Sequence, residues 1–420
     1  MFALYCRVYQ FIMRIAAVFM PWRKPILIEG EGCVTELSDY IAESGIKCVL
    51  LVTGEGIMKR GTADSLLKAL GISGVNAAVY DKTVPNPTIT NIEEAFAMYK
   101  VNKCKAIIAL GGGSPIDCAK GVGARVARPN KRISQMRGYL KVRAKLPPIY
   151  AIPTTAGTGS EATLAAVVVD ASTHQKYSIS DFPLIPSVAV LDPLLTVTLP
   201  PGITAATGMD ALTHAVESYI GRSNTRETRE MALKAAKLIF ENIFAAYSDG
   251  ANITARRNMQ LAAYYAGIAF TRAYVGNVHA LAHTLGGLYD TPHGFANAVI
   301  MPHVLDSYGS SAYKPLAELA DYVGIADVAD ALTGDADAPA SDRDALTGVS
   351  YEQKAKAFIK AIRELNASME IPETVDFILE KDITFMVEHA FKEANPAYPV
   401  PRIFSRNDFY CVIRELMGNG

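Results

Sequence analysis

"CKAIIALGGGSPIDCAK", Cys104–Lys120, carries an apolar run into three consecutive glycines and then into residues that open a helix. A short unbroken apolar run bounded by turn residues reads as a strand buried on both faces of a sheet. Similar runs occur at "CVLLVTGEG" (48–56), "NAAVYD" (76–81), "PIYAIPTT" (148–155) and "SVAVLDP" (187–193). Helical patterns lie between them, and this alternation predicts a parallel, Rossmann-like sheet with helices on its faces. Beyond "DPLLTVTLPPGITAA" the pattern changes, with Ala, Leu and Met recurring at three- and four-residue spacing over 207–220, 225–248, 254–272, 277–287, 351–366 and 407–417. No strand is evident there, so an all-helical domain is expected. The predicted organisation is an apolar N-terminal extension (1–25), an α/β domain (26–193) and an all-α domain (194–420).

Composition limits the function classes. Of 420 residues, 50% are hydrophobic and 20% charged, with a formal net charge of −1. That leaves no global basic field to recruit nucleic acid. The six cysteines form no C-x-x-C pair, which argues against a disulfide framework or thiolate metal site and fits a reducing cytoplasm. The opening "MFALYCRVYQFIMRIAAVFMPWRKP" is apolar but interrupted by Arg7 and Arg14, and the run from Phe11 to Met20 is too short to span a bilayer. Neither a signal peptide nor a transmembrane segment is expected. An amphipathic helix packed on the body or on a second subunit is favoured over a membrane-surface anchor. "TGDADAPASDRDALTG" (333–348) has little to bury and reads as a surface excursion.

Three stretches carry chemistry. In the opening stretch, glycines let backbone approach a phosphate while the following helix start attracts an anion. Alone, such a turn is as often structural as functional. "PTTAGTGSEAT" (153–163) follows another predicted strand and brings Thr154, Thr155, Thr158 and Ser160 to the same sheet rim, where ligands of parallel sheets bind. A single threonine there is more often a cap, but the two loops together suit a phosphate-bearing cofactor. The third stretch pairs Asp210 with His214 and His279 with His283, each four residues apart on a predicted helix, with His293 following in a loop. Taken singly, each histidine is more often a core or surface residue than a ligand. Jointly they favour a metal, and imidazoles with one carboxylate and no sulfur suit Fe(II), Zn(II), Co(II) or Ni(II), with iron or zinc the practical choice.

These blocks resemble the iron-containing (group III) alcohol dehydrogenases, which share the dehydroquinate synthase-like fold. The resemblance runs through "VPNPT" (84–88), "GGGSPIDCAK" (111–120), "AIPTTAGTGSE" (151–161), "LPPGITAATGMDALTHAVESY" (199–219) and "HALAHTLGGLYDTPHGFANAV" (279–299). It implies metal ligation by Asp210, His214, His279 and His293. It places His283 beside the nicotinamide, in proton movement or substrate placement. It implies pyrophosphate binding at Gly112, Gly113 and Ser114, and cofactor contacts from Thr154, Thr155, Thr158, Asn86 and Lys176. Where NAD-preferring members often carry an aspartate, this chain has Gly54, with Lys59 and Arg60 nearby. An aspartate would repel a 2′-phosphate, so its replacement leans the expectation to NADP(H) over NAD(H), although Glu55 argues the other way.

The implied activity is hydride transfer between NAD(P)H and a small alcohol or aldehyde, with Fe(2+), or alternatively Zn(2+), as Lewis acid and the active site in the cleft between the two domains. A dehydroquinate synthase-like lyase or a glycerol dehydrogenase-like enzyme on the same fold is the alternative, and a non-catalytic membrane-associated scaffold a more remote one. The lyase needs a polyanion site, yet no cluster of Lys and Arg surrounds the histidine blocks. A homodimer or higher homo-oligomer in the cytoplasm is expected.

Overall fold

The computed structural model describes residues 1–171, 175–325 and 349–418. The stretch 333–348 and His174 lie outside the described residues.

The strands are β1 Ile26–Glu29, β2 Cys48–Val52, β3 Asn76–Tyr80, β4 Ala106–Gly111, β5 Gly138–Tyr139, β6 Ile149–Pro153, β7 Ala165–Asp170, β8 Gln175–Ser180 and β9 Val188–Leu191. Six of them form one sheet in the order β1-β9-β6-β4-β2-β3, every pair parallel. Alternate side chains supply two separate cores. Leu50, Val52, Ile107 and Ala109 pack under the helices Ile89–Val101 and Gly113–Ala127. Val49, Leu51, Ile108 and Leu110 pack on the other face under Glu36–Glu43 and Asp64–Ile72. Burial on both faces is why these strands read as unbroken apolar runs. From β2 the chain moves outward to β3 and then returns to β4 on the far side of β2, so the strand order reverses between β2 and β4. The crevice beyond their carboxyl ends is where such sheets hold ligands.

The sequence reading missed a second, three-stranded sheet, ordered β5-β8-β7. Within it β7 and β8 pair antiparallel from Ala165 opposite Ser180 to Asp170 opposite Gln175. "QKYSIS" is polar enough to pass for a loop, and pairing supplies what hydrophobicity does not.

Two compact units emerge, and they do not follow the chain linearly. One comprises Pro21–Leu199 with Asp249–Thr271, the other Met1–Met20, Pro200–Ser248 and Arg272–Gly420. The helix Ile253–Ala273 thus groups with the sheet up to Thr271. It docks on the Gly159 turn glycine to glycine: a Cβ on Gly159 would lie 2.7 Å from Gly267 Cα, and one on Gly267 would lie 2.6 Å from the Gly159 carbonyl oxygen. Gln260 Nε2 also donates to Pro153 O at 3.1 Å.

The other unit is helical, built from Phe2–Val18, Pro201–Ile220, Arg226–Ser248, Asn277–Tyr289, His293–Tyr308, Ser310–Val323, Tyr351–Ser368, Ile383–Ala394 and Arg406–Leu416. Tyr351–Ser368 begins at a Ser350–Gln353 capping box and buries Ala355, Phe358, Ile359 and Ile362 on one stripe. Pro201–Ile220 is buried almost all round and forms the centre of the unit. The N-terminal helix does pack on the body, but by its polar side. Gln10 Nε2 donates to Pro396 O and Tyr398 O at 3.0 and 2.7 Å, and Arg7 donates to Val400 O and Pro401 O at 2.7 Å each. Among the described residues no helix is long and apolar enough to cross a membrane.

Candidate metal centre and cofactor turn

The helix Pro201–Ile220 opens on Pro200 and Pro201, whose fixed φ suits a first turn. Asp210, His214 and Glu217 share one of its faces through their four- and three-residue spacing. His279 and His283 sit one turn apart on Asn277–Tyr289. His293, expected in a loop, is instead the first residue of the helix His293–Tyr308. Gly294 explains how that helix start reaches the site: a Cβ there would lie 2.1 Å from Ala206 O and 3.2 Å from Asp210 Cβ. Only glycine permits so close an approach.

Three ligand atoms converge. A carboxylate oxygen of Asp210 and ring nitrogens of His279 and His293 all lie within 4.8 Å of one another. Asp210 Oδ1 is 3.5 Å from His293 Nε2 and 3.9 Å from His279 Nε2. His214 stands beside this trio, its ring stacked on His279 with centroids 4.5 Å apart. Asn297, one turn after His293, brings Nδ2 to 2.7 Å from Asp210 Oδ1, 3.3 Å from His279 Nε2 and 3.2 Å from His293 Nε2. Its Oδ1 is buried with no hydrogen-bond partner among the described residues. Three acceptors therefore focus on one point, where a positively polarised N–H group now lies. A divalent cation fits the same focus, and two imidazoles with one carboxylate suit iron or zinc.

Glu217 orients the centre, and the sequence reading passed over it. Its carboxylate accepts the N–H groups of Gly276 and Val278 at 2.8 Å each and contacts His279 Nδ1 at 2.6 Å. It thus caps the Asn277–Tyr289 helix and fixes the His279 ring, leaving Nε2 turned toward Asp210 and Asn297. Burial pushes the Glu217 carboxyl up to about 8 against these hydrogen bonds. Burial likewise drives the His279 and His214 pKa values down, which favours the neutral imidazole that binds metals. The available signal was the seven-residue spacing from Asp210, two helical turns along the same face.

His283 is held apart from the trio. Its Nδ1 lies 2.5 Å from Glu393 Oε1, which also accepts the Tyr398 hydroxyl at 2.8 Å. The His283 ring stacks on His293 at 5.2 Å. Burial opposes ionisation of Glu393, but the His283 charge and the His283 and Tyr398 hydrogen bonds outweigh it and hold the carboxyl below its ordinary range.

In the sheet unit, most of the cofactor-side residues expected from sequence gather at the carboxyl ends of β4 and β6. Gly111 adopts φ 148 as β4 leaves the sheet, and the helix Gly113–Ala127 begins directly after Gly112. A Cβ on Gly112 would stand 3.3 Å from Thr155 Oγ1, and one on Gly113 would stand 3.0 Å from Thr158 Cγ2. Ser114 Oγ accepts the Asn86 N–H at 3.2 Å, and Lys176 Nζ donates to Asn86 Oδ1 at 2.8 Å. Thr154 differs from its neighbours: it is buried, with its N–H on Gly111 O at 3.0 Å. Gly54 lies off β2, at the start of the helix Glu55–Lys59.

Two further residues bind the glycine turn to the threonine loop. Asp117 accepts Ser160 Oγ at 2.6 Å and Val167 N at 3.0 Å. Lys120 Nζ, fully buried, donates to Ser160 Oγ at 3.1 Å, to Thr163 O and Oγ1 at 2.9 Å each and to Ala165 O at 2.8 Å. Burial lowers the Lys120 pKa to about 8 even with Asp117 and Glu161 nearby. The charged residues of "SPIDCAK" are therefore structural cross-links between the two loops.

Comparison with known proteins agrees with the fold. Residues 25–193 match the iron-containing alcohol dehydrogenase family model, and residues 204–417 match the C-terminal model of the Fe-containing alcohol dehydrogenase family. The chain is 37% identical over 390 residues to a 1,3-propanediol dehydrogenase of Klebsiella pneumoniae, covering 92% of this chain and 95% of that one. It is 33% identical over 395 residues to an NAD-dependent methanol dehydrogenase of Bacillus methanolicus, covering 94% and 98%. The crystal structure of a 1,3-propanediol oxidoreductase superposes with a TM-score of 0.86 at 35% identity, covering 95% of this chain and all of the other. The lyase and glycerol dehydrogenase alternatives are not favoured by these matches. The chain belongs to the iron-containing alcohol dehydrogenase family, metal-dependent oxidoreductases that interconvert alcohols and aldehydes.

Proposed function

We propose that this enzyme transfers hydride between a nicotinamide dinucleotide and a small alcohol or aldehyde, using a divalent iron held by Asp210, His279 and His293, with His214 as fourth ligand. The observation that carries the reading is the convergence of three ligand atoms within 4.8 Å. His214 joins on the strength of its spacing from Asp210 and its stacking on His279. When bound, the ion supplies Lewis acidity toward an alcohol or carbonyl oxygen. Glu217 keeps the His279 ring in its ligating orientation. His283, polarised by Glu393, holds or releases the hydroxyl proton.

The dinucleotide binds at the glycine turn, with its pyrophosphate against Gly112, Gly113 and Ser114 and further contacts from Thr154, Thr155, Thr158, Asn86 and Lys176. The methanol dehydrogenase relative is named for NAD, while this chain has Gly54 where NAD-preferring members often carry an aspartate. Lys59 is already paired with Glu55 at 2.7 Å, so the NADP(H) preference we propose is small. We further place the enzyme in the cytoplasm as a homo-oligomer.

Metal analysis of the purified protein, with an aldehyde panel assayed against NADH and NADPH, tests the reading. Aldehyde-dependent consumption of reduced cofactor, lost on chelation and restored by Fe(2+), is expected. Turnover that persists at full rate in metal-stripped protein would overturn it.

A further inference from the structure

The N-terminal helix is inside out for a helix that only packs on its own chain. Cys6 and Gln10 are its buried residues, and Arg7 and Gln10 spend their polar groups on backbone carbonyls between Pro396 and Pro401. Leu4, Phe11, Ile12, Ile15 and Val18 face outward, and Phe19 follows them. Phe11 is 63% exposed and Phe19 is 83% exposed. An ordinary surface helix does the reverse. A continuous exposed apolar face of this kind marks an interaction surface.

Charge indicates what covers it. No Asp or Glu precedes Glu29 in the sequence. Beside the helix a cavity of about 450 Å³ is lined by Arg7, Gln10, Phe11, Arg14, Arg222 and Ser223. A second cavity of about 560 Å³ shares Arg14 and adds Arg226, Arg229 and Glu230. Arg229 is engaged by Glu318, and Glu230 by Lys234. Arg14, Arg222 and Arg226 have no ion-pair partner among the described residues. In a two-fold pairing of copies through this face, the arginine rims would oppose each other, and the nearby acids Glu227 and Glu230 are already engaged by Arg272 and Lys234. An anionic surface answers all of them at once. The helix has 17 residues, about 26 Å, and so lies along such a surface without crossing it.

We propose that the outward face of the N-terminal helix seats the protein on a bilayer containing anionic phospholipid, its apolar side chains entering the interface and the lipid phosphates lying against Arg14, Arg222 and Arg226. Guanidinium groups suit phosphate oxygens, and one apolar helix plus a basic rim provides the two attractions that stable surface binding needs. This surface is independent of the hydride-transfer reading.

Co-sedimentation of the full chain with vesicles of phosphatidylcholine, alone or mixed with phosphatidylglycerol, tests it. The protein should pellet with the mixed vesicles and remain in solution with phosphatidylcholine alone. Arg14→Ala/Arg222→Ala/Arg226→Ala should weaken binding roughly a hundredfold, and added salt should weaken the parent protein. Phe11→Asp/Ile15→Asp should abolish pelleting while circular dichroism and aldehyde reduction stay unchanged, since both positions are exposed. A parent chain that stays in the supernatant, or pelleting that Phe11→Asp/Ile15→Asp leaves intact, overturns the proposal. So does a dimer in vesicle-free buffer that the same double variant converts to monomer, because the face would then be a self-association surface.

Discussion

At the carboxyl ends of β4 and β6 the chain presents backbone and very small side chains: Gly112 and Gly113 leave room that Thr155 and Thr158 would otherwise contest. In the helical unit it does the opposite, aiming Asp210, His279 and His293 from three helices at one point and bracing them with Glu217 and Asn297. The glycine turn comes from a nearly continuous stretch, whereas the metal centre draws on residues 210 to 297. One region functions through what it lacks and is harmed by added atoms. The other functions through functional groups and is harmed by their removal, which gives the two regions separable mutant signatures.

The largest effect should follow subtraction at the metal centre. His279→Ala removes a proposed ligand and leaves the Glu217 carboxylate buried without its ring partner, so metal content should fall to background and turnover by about a thousandfold. Dinucleotide binding, read by fluorescence or calorimetry, should persist because the glycine turn is untouched. Retained metal with normal turnover would remove His279 from the ligand set.

Addition should do the damage at the turn. Gly113→Val places carbon where even a Cβ would be 3.0 Å from Thr158 Cγ2, forcing the threonine loop away. The cofactor KM should rise about a hundredfold, a cost of about 1–3 kcal/mol, while iron content stays at the parent level. If Gly113→Val also empties the metal centre, the two regions are not energetically separate.

These differences explain what the sequence disclosed. A strand–glycine–helix turn is local, so "ALGGGSPIDCAK" revealed it directly, and the i, i+4 pairs Asp210–His214 and His279–His283 were visible as helix faces. The residues that brace the site were not. Glu217 meets His279 across 62 residues, Glu393 meets His283 across 110, and Asn297 reaches the site only because His293 opens a helix that carries it one turn on. Gly294 lets that helix start come close against Pro201–Ile220. Likewise, Ile253–Ala273 carries an ordinary helical pattern, and it is long-range contacts such as Gly267–Gly159 and Gln260–Pro153 that tie it to the sheet. Local periodicity specifies elements, while long-range partners depend on which elements can approach one another.

A milder subtraction separates orientation from ligation. Glu217→Gln keeps the shape but turns an N–H toward either the Gly276 or the Val278 N–H, each of which needs an acceptor. Metal affinity should fall about 10- to 100-fold by chelator competition, with Co(2+)-loaded protein showing an altered visible spectrum. At saturating metal most of the turnover should return, which a lost ligand would not allow. An unchanged affinity would mean that the His279 ring needs no carboxylate to hold it.

The smallest effect should come from a position where the chain lacks a charge. Gly54 opens the helix Glu55–Lys59 in an extended conformation with φ −108, which any residue adopts, so aspartate is not excluded by backbone strain. A Cβ there would meet Thr83 O at 3.3 Å, a contact relieved by a shift of a few tenths of an ångström. The new carboxylate would face the adenosine ribose, accepting its hydroxyls in NADH and repelling the 2′-phosphate of NADPH. At surface dielectric, repulsion across several ångströms is worth about 1–2 kcal/mol, so Gly54→Asp should shift the NADPH-to-NADH ratio of kcat/KM about tenfold toward NADH. Iron content and aldehyde preference should not move, because the change lies wholly in the sheet unit. A ratio that stays fixed would show that the 2′-position lies away from Gly54, and the specificity determinant would have to be sought along β3 instead.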